Sequence, residues 1–307
     1  MRGACKMNVV IKVDDKTKEK LIEYYKDKLR DKVPPYAIFQ AKEEDTIITL
    51  YNSGKVMFQG LSADVDANMW RAMDEKEYEE KIKEETSKFF YTSAIGSDEV
   101  GTGDYFGPIV VCAAYVKEEQ IPELQKLGVN DSKKINDEMI LKIAPKLIKL
   151  LPYKSIIISN EEYNLTYNKD NNMNKIKAIM HSKVLKALKN EITTKLDYII
   201  MDEFTPEKKY YEYIKEDSSP LKGITFLQKA EDKNLAVASA SIISRYIFLK
   251  EMDKLSDFYK IPIPKGAGAN VDKIGQEIVD IHGKEVLDKI AKKNFSNTQR
   301  VLRTMVI

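Results

Sequence analysis

Two adjacent carboxylates, Asp98 and Glu99, close the run Ala94-Ile95-Gly96-Ser97 and lead at once into Val100-Gly101-Thr102-Gly103-Asp104-Tyr105-Phe106-Gly107-Pro108. Neighbouring side chains on a strand point to opposite faces, so the pair converges on one ligand only if the chain bends there. The glycines permit that bend, and they let a ligand approach backbone N–H groups that a Cβ would hold away. A dinucleotide fingerprint is excluded: Gly101, Gly103 and Gly107 are spaced one residue too long, and Pro108 opens a β-branched run rather than a helix. Standing alone, the stretch reads equally well as a hairpin turn. It does not stand alone. Tyr198-Ile199-Ile200-Met201 is a buried-strand run that ends in Asp202, and Glu231 and Asp232 precede the Ala- and Ser-rich run that begins at Leu235. Acidic clusters at the edges of three apolar elements suggest a metal site built from carboxylates alone.

Other metal chemistry drops out on residue counts. The two cysteines, Cys5 and Cys112, exclude a disulfide framework, and the two histidines, His181 and His282, lie far apart with no zinc-ligand spacing. Magnesium or manganese on oxygen ligands remains. A net charge of +2, from 50 basic and 48 acidic side chains with no basic arm, is no signal for nucleic acid by itself. The 307 residues, 43% hydrophobic and 32% charged, suit a globular chain. Neither a membrane span nor a secretory leader is legible, and a cytoplasmic monomer is expected.

The elements that must position these residues fall into two groups. Strand patterns at 9–13, 36–41, 46–51 and 56–59, with helices at 16–30 and 63–73, give the order β-α-β-β-β-α: a small sheet with helices on one face. On the last hairpin Met57 and Phe58 point to opposite faces, so one packs in the core and the other is free to touch a ligand. The run from Asp74 is almost all charged and reads as a linker over 74–91. Beyond it, strands at 92–97, 108–116, 155–159 and 198–201 alternate with helices at 136–150, 175–195 and 230–255. That alternation predicts a mostly parallel α/β sheet with its active site at strand carboxyl ends.

Residues 96–108 resemble the first motif of ribonuclease HIII, a type 2 ribonuclease H. Asp131-Ser132-Lys133-Lys134, Ile200-Met201-Asp202-Glu203-Phe204, Lys229-Ala230-Glu231 with the run to Tyr246, and Pro264-Lys265-Gly266-Ala267-Gly268-Ala269 are similar to its later motifs, in order. The N-terminal unit, with Ser53 to Gly60, resembles the TATA-binding-protein-like domain of the same family. The resemblance implies a ribonuclease H-like α/β domain over 92–307 with a central mixed sheet flanked by helices, and a substrate-binding α+β domain over 1–73. It implies an endoribonuclease that hydrolyses the RNA strand of RNA/DNA hybrids with two Mg2+ or Mn2+ ions, leaving 5′-phosphate and 3′-hydroxyl ends. Its catalytic and metal-binding carboxylates correspond to Asp98, Glu99, Asp202 and Glu231, with Asp232 the alternative to the last. Asp98 is expected to be shared by both ions, Glu99 and Glu231 to favour one side, and Asp202 the other. By the same resemblance Gly101, Thr102 and Gly103 read ribose hydroxyls, and Ser132, Lys133, Lys55 and Lys265 bind substrate. Two other readings are a hybrid-binding protein without catalysis, against which the three acidic clusters count, and a nuclease of the same fold acting on DNA.

Overall fold

The computed structural model describes residues 7–43, 45–60, 62–71, 73, 88–129 and 135–303. Most of the charged run, 74–87, lies outside them. The chain divides into two compact units, Met1–Glu85 and Thr86–Ile307.

In the first unit, β1 (Met7–Lys12), β2 (Ala37–Glu43), β3 (Thr46–Tyr51) and β4 (Lys55–Gly60) form an antiparallel sheet in the order β1-β4-β3-β2. Helix α1 (Asp15–Tyr25) starts where the Asp14 side chain accepts a hydrogen bond from Thr17 N–H, and α2 covers residues 63–71. Gly54, at φ +79°, turns the β3–β4 hairpin. Leu21, Tyr25, Ile48, Leu50, Val56, Phe58, Ala67 and Trp70 pack into one core, where Trp70 Nε1 donates to the Tyr25 hydroxyl at 3.1 Å. Period-2 alternation sends the other residues of the strands to the opposite face. Phe58 is therefore the core residue of the hairpin and half-buried Met57 lies on the open face, beside Lys55 and Gln59.

The second unit is built on β5 (Ala94–Val100), β6 (Ile109–Val116), β7 (Tyr153–Ile158), β8 (Tyr198–Asp202) and β9 (Ile224–Leu227), ordered β7-β6-β5-β8-β9. The sheet is mixed. β5, β8 and β9 run parallel, while β6 is antiparallel to both β5 and β7, so the mostly parallel reading drawn from alternation is corrected. The connection between β5 and β6 is too short for a parallel crossover. β7 is an edge strand of alternating exposure rather than a buried one. The four-residue β9 is too short to show a pattern in the sequence.

Helices cover both faces, the short α3 (Ile121–Lys126), α5 (Asn160–Thr166) and α7 (Glu207–Tyr213) among them. α4 (Asp137–Leu150) and α8 (Leu235–Tyr259) bury one face with Ala94, Cys112, Ala114 and Ile200. α6 (Met173–Glu191) buries the other with Ile95, Val111, Ala113, Ile199 and Met201. The small residues of α8 let its backbone lie against β5: a Cβ on Gly96 would come within 2.1 Å of Val237 N. Phe89, near the start of this unit, is buried in the same core as α8. No helix among the described residues is long and apolar enough to cross a membrane.

Candidate active site

The strand that carries Asp98 and Glu99 does not bend between them. β5 pairs with β6 through Asp98–Cys112, Glu99–Val111 and Val100–Val110, and the turn begins only at Gly101, whose φ is +91°. Pairing with β8 stops earlier, at Ser97–Met201, so the two carboxylates project from β5 where its parallel neighbour is ending. They leave by opposite faces. Asp98 belongs to the α8 face, where the Ser241 hydroxyl hydrogen-bonds to it, and its Oδ1 also accepts from Glu99 N–H at 2.7 Å. Glu99 belongs to the α6 face.

Glu99 is held from two sides. Lys177 Nζ donates to its Oε1 at 2.6 Å, and His181 Nε2 lies 2.9 Å from its Oε2. The carboxylate can only accept, so Nε2 carries the proton. The imidazole is fully buried, meets Ser97 Oγ through Nδ1 at 2.9 Å, and stacks on Phe204 at 5.3 Å between ring centroids. Lys177 Nζ sits 4.0 Å over the same phenyl ring. Burial alone would raise the Glu99 pKa, but the hydrogen bond and charge of His181, followed by those of Lys177, hold it at about 2. Lys177 and His181 are residues that sequence reasoning missed. Their signal was an i, i+4 pair of basic residues on a helix face otherwise made of Ile176, Met180, Val184 and Leu188.

Asp202 ends β8 on the same face as Asp98, and its Oδ1 accepts from Ala230 N–H at 2.9 Å. That bond fixes the 3-10 turn Ala230–Asp232 beside the strand end, and the turn carries both Glu231 and Asp232, each half-buried. Asn234 then caps α8 by accepting from Ala236 N–H. Electrostatics bind the acids into one group. Burial first, then the charges of Glu99 and Asp202, push the Asp98 pKa up to about 8. Burial and the Glu99 charge raise Asp202 as well, against the Ala230 N–H.

Among the described residues, no three His, Cys, Asp or Glu side chains already stand around an ion-sized gap. The donor set nonetheless fits a divalent cation. Burial and acidic neighbours raise the Asp98 pKa well above the usual carboxylate range, and a hard cation on carboxylate oxygens relieves that penalty.

The other expected site residues are distributed unevenly. Thr102 and Gly103 lie on the turn that follows the acids, Thr102 half-buried and Gly103 exposed. Lys265 is exposed but ion-paired with Asp137, which Arg245 also grips through Nε at 3.0 Å and Nη2 at 2.7 Å. Burial would raise Asp137, yet Lys265 and Arg245 hold its carboxyl below the usual range. Ser132 and Lys133 lie outside the described residues. Lys55 belongs to the other unit, exposed on the open sheet face opposite Lys12.

Residues 95–298 match the family model described as Ribonuclease HII, and residues 8–83 match a domain of unknown function, DUF3378. Ribonuclease HIII of Bacillus cereus is 39% identical over 97% of this chain and 99% of its own length. The Bacillus mycoides ribonuclease HIII is 40% identical over 97% and 98%. A solved structure, Bst-RNase HIII in complex with Mn2+, superposes with a TM-score of 0.70 at 37% identity, covering 98% of this chain and 99% of that one. With its half-buried acids at the carboxyl ends of the central sheet, the chain belongs to the ribonuclease HIII family.

Proposed function

We propose that this chain is an endonuclease that hydrolyses the RNA strand of RNA/DNA hybrids, with Asp98, Glu99, Asp202 and Glu231 as its catalytic carboxylates. The observation that carries the reading is the Asp98–Asp202 grouping on one face at the strand ends, with Glu99 anchored behind it. Divalent ions, when bound, supply Lewis acidity to the scissile phosphodiester and lower the pKa of the attacking water. Magnesium and manganese both suit the donors, and a relative crystallised with Mn2+ supports a divalent ion. Two ions are inferred, and Asp98, Glu99, Asp202 and Glu231 would hold them.

The chain's own residues divide the remaining work. Lys177 and His181 keep Glu99 ionised and fix its orientation, so that no rotamer search is needed when an ion arrives. The Ala230 N–H does the same for Asp202 and carries Glu231 to the rim of the site. Gly101, Thr102 and Gly103 follow the acids after Val100 and present backbone groups for a ribose 2′-hydroxyl, the group that distinguishes RNA from DNA. In the N-terminal unit, Lys12, Lys42 and Lys55 share the open face with Asn8, Gln40 and Gln59, and no acidic side chain belongs to that alternation. Such a face suits the phosphates of a duplex.

The test is an end-labelled RNA/DNA duplex with matched RNA/RNA and DNA/DNA controls, in Mg2+, Mn2+ or chelator. Metal-dependent cutting of the hybrid's RNA strand alone, leaving 5′-phosphate ends, is expected. Binding without cutting in either metal sinks the catalytic reading and favours a hybrid-binding protein.

A further inference from the structure

Lys292 is fully buried, and none of the chemistry proposed above uses it. Its Nζ donates to the carbonyls of Asp104 at 2.8 Å and Gly107 at 2.5 Å, both in the turn that follows the acids. The neighbouring backbone continues the grip. Lys292 N–H donates to Tyr105 O at 2.8 Å, Gly107 N–H donates to Ile290 O at 3.0 Å, and Phe106 pairs with Ala291 in an antiparallel bridge. Asp104 then ties the turn to the loop that carries Lys265. Its Oδ1 accepts from Gly266 N–H at 2.5 Å, and Tyr105 N–H donates to Gly266 O at 2.9 Å.

An apolar side chain would fill this position without stripping water from an ammonium group. Burial draws the Lys292 pKa down to about 7, with the Asp104 charge pulling the other way. It holds two carbonyls that, among the described residues, accept from no backbone N–H. We propose that Lys292 is a positioning residue for RNA-strand recognition, fixing the Gly101–Gly107 turn from inside the fold and, through Asp104, holding it in register with the loop at Lys265 and Gly266. Lys292 acts in this way only if the turn meets the hybrid, as proposed above.

Gly103 separates the two propositions. Gly101 and Gly107 serve the fold: at φ +91° and +80°, a Cβ on either would strike Pro108 O at 2.1 Å or Met252 Sδ at 2.3 Å. A Cβ on exposed Gly103 meets nothing within 4 Å, so Gly103→Ala disturbs only a ligand that comes close.

The experiment uses full-length Lys292→Met, Asp104→Ala and Gly103→Ala in Mg2+. Two substrates are compared, an RNA/DNA hybrid and matched hybrids with one 2′-deoxynucleotide scanned along the RNA strand; kcat, KM, the ribo-to-deoxy rate ratio at each position and Tm are measured. For Lys292→Met, kcat falls on the order of 100-fold with KM nearly unchanged, and the best ribo-to-deoxy ratio falls about tenfold, as a small misplacement of a recognition element would cause. Asp104→Ala moves both quantities in the same direction by less. A kcat loss with the ratio unchanged makes Lys292 a fold residue and overturns the proposal, as does wild-type behaviour of Lys292→Met. Should Lys292→Met not fold, an unchanged ratio in Asp104→Ala overturns it. If Gly103→Ala leaves hybrid cleavage untouched, the turn does not meet substrate; the reading beneath the proposal then fails, and the proposal with it.

Discussion

The two sheets of this chain solve opposite problems. The N-terminal sheet is covered on one face and open on the other, so Lys12, Lys42 and Lys55 stay solvated and need no partner inside the protein. The sheet of the second unit is covered on both faces, so every ionisable group near its end is partly stripped of water. There each charge is matched or suppressed: Glu99 by Lys177 and His181, Asp98 by a raised pKa, Asp202 by a backbone N–H. An open face suits loose, salt-sensitive contact with a phosphate backbone, whereas an enclosed end suits a few carboxylates of fixed orientation.

The largest effect falls at the enclosed end. Asp98→Asn should reduce cleavage of the hybrid to background, because a neutral amide oxygen lacks the carboxylate charge and is a far weaker ligand for a hard divalent cation, while hybrid binding in a gel-shift assay persists. Turnover by that variant would break the contrast between a reacting end and a binding face. Lys177→Met comes next. It leaves the buried Glu99 carboxylate short of its ammonium partner, with side chains only 9% and 12% exposed, and should cost about 3–5 kcal/mol in denaturant unfolding. Adding Glu99→Gln should return much of that stability without returning activity. Additive losses in the double variant would mean that the pair is not coupled.

These predictions rest on features of unequal legibility. Asp98, Glu99 and Asp202 were readable because acids at the ends of apolar strands conflict with local hydrophobicity, and the N-terminal element order followed from turn residues and alternation. Lys177 and His181 were not read as site residues, since a basic residue in a helix announces neither its face nor its partner. Their target, Glu99, lies 78 residues away along the chain for Lys177, and only the sheet order brings α6 beneath it. The expected bend at Asp98–Glu99 was wrong for a related reason. β5 runs straight through both carboxylates and presents them on opposite faces, where its parallel neighbour β8 is ending. Glu231 and Asp232 share one turn, and only the resemblance carried by Lys229-Ala230-Glu231 ranks Glu231 first.

The open face calls for milder measurements. Lys12→Gln, Lys42→Gln and Lys55→Gln should each weaken hybrid binding across all sequences and lower the slope of log affinity against log salt, by roughly 0.7–0.9 for each phosphate that is no longer neutralised. The kcat at saturating substrate should hold. An unchanged salt slope in the triple variant would remove this face from the binding surface, leaving the contrast between the sheets a matter of packing alone.

The smallest effect sharpens the comparison through pH. A lysine whose pKa falls on folding makes stability depend on pH. Lys292 is held near 7 when folded and returns to about 10.4 when unfolded. Between those values the unfolded chain binds the additional proton, so this residue makes stability rise with pH from about 7 towards 10, and its full penalty applies below 7. Lys292→Met deletes the group from both states. The Tm difference, variant minus wild type, should therefore be largest near pH 6 and shrink steadily as the pH approaches 10. A pH-independent difference for Lys292→Met would mean that water reaches this ammonium, and the division between an enclosed and an open unit would then not extend to the segment that carries it.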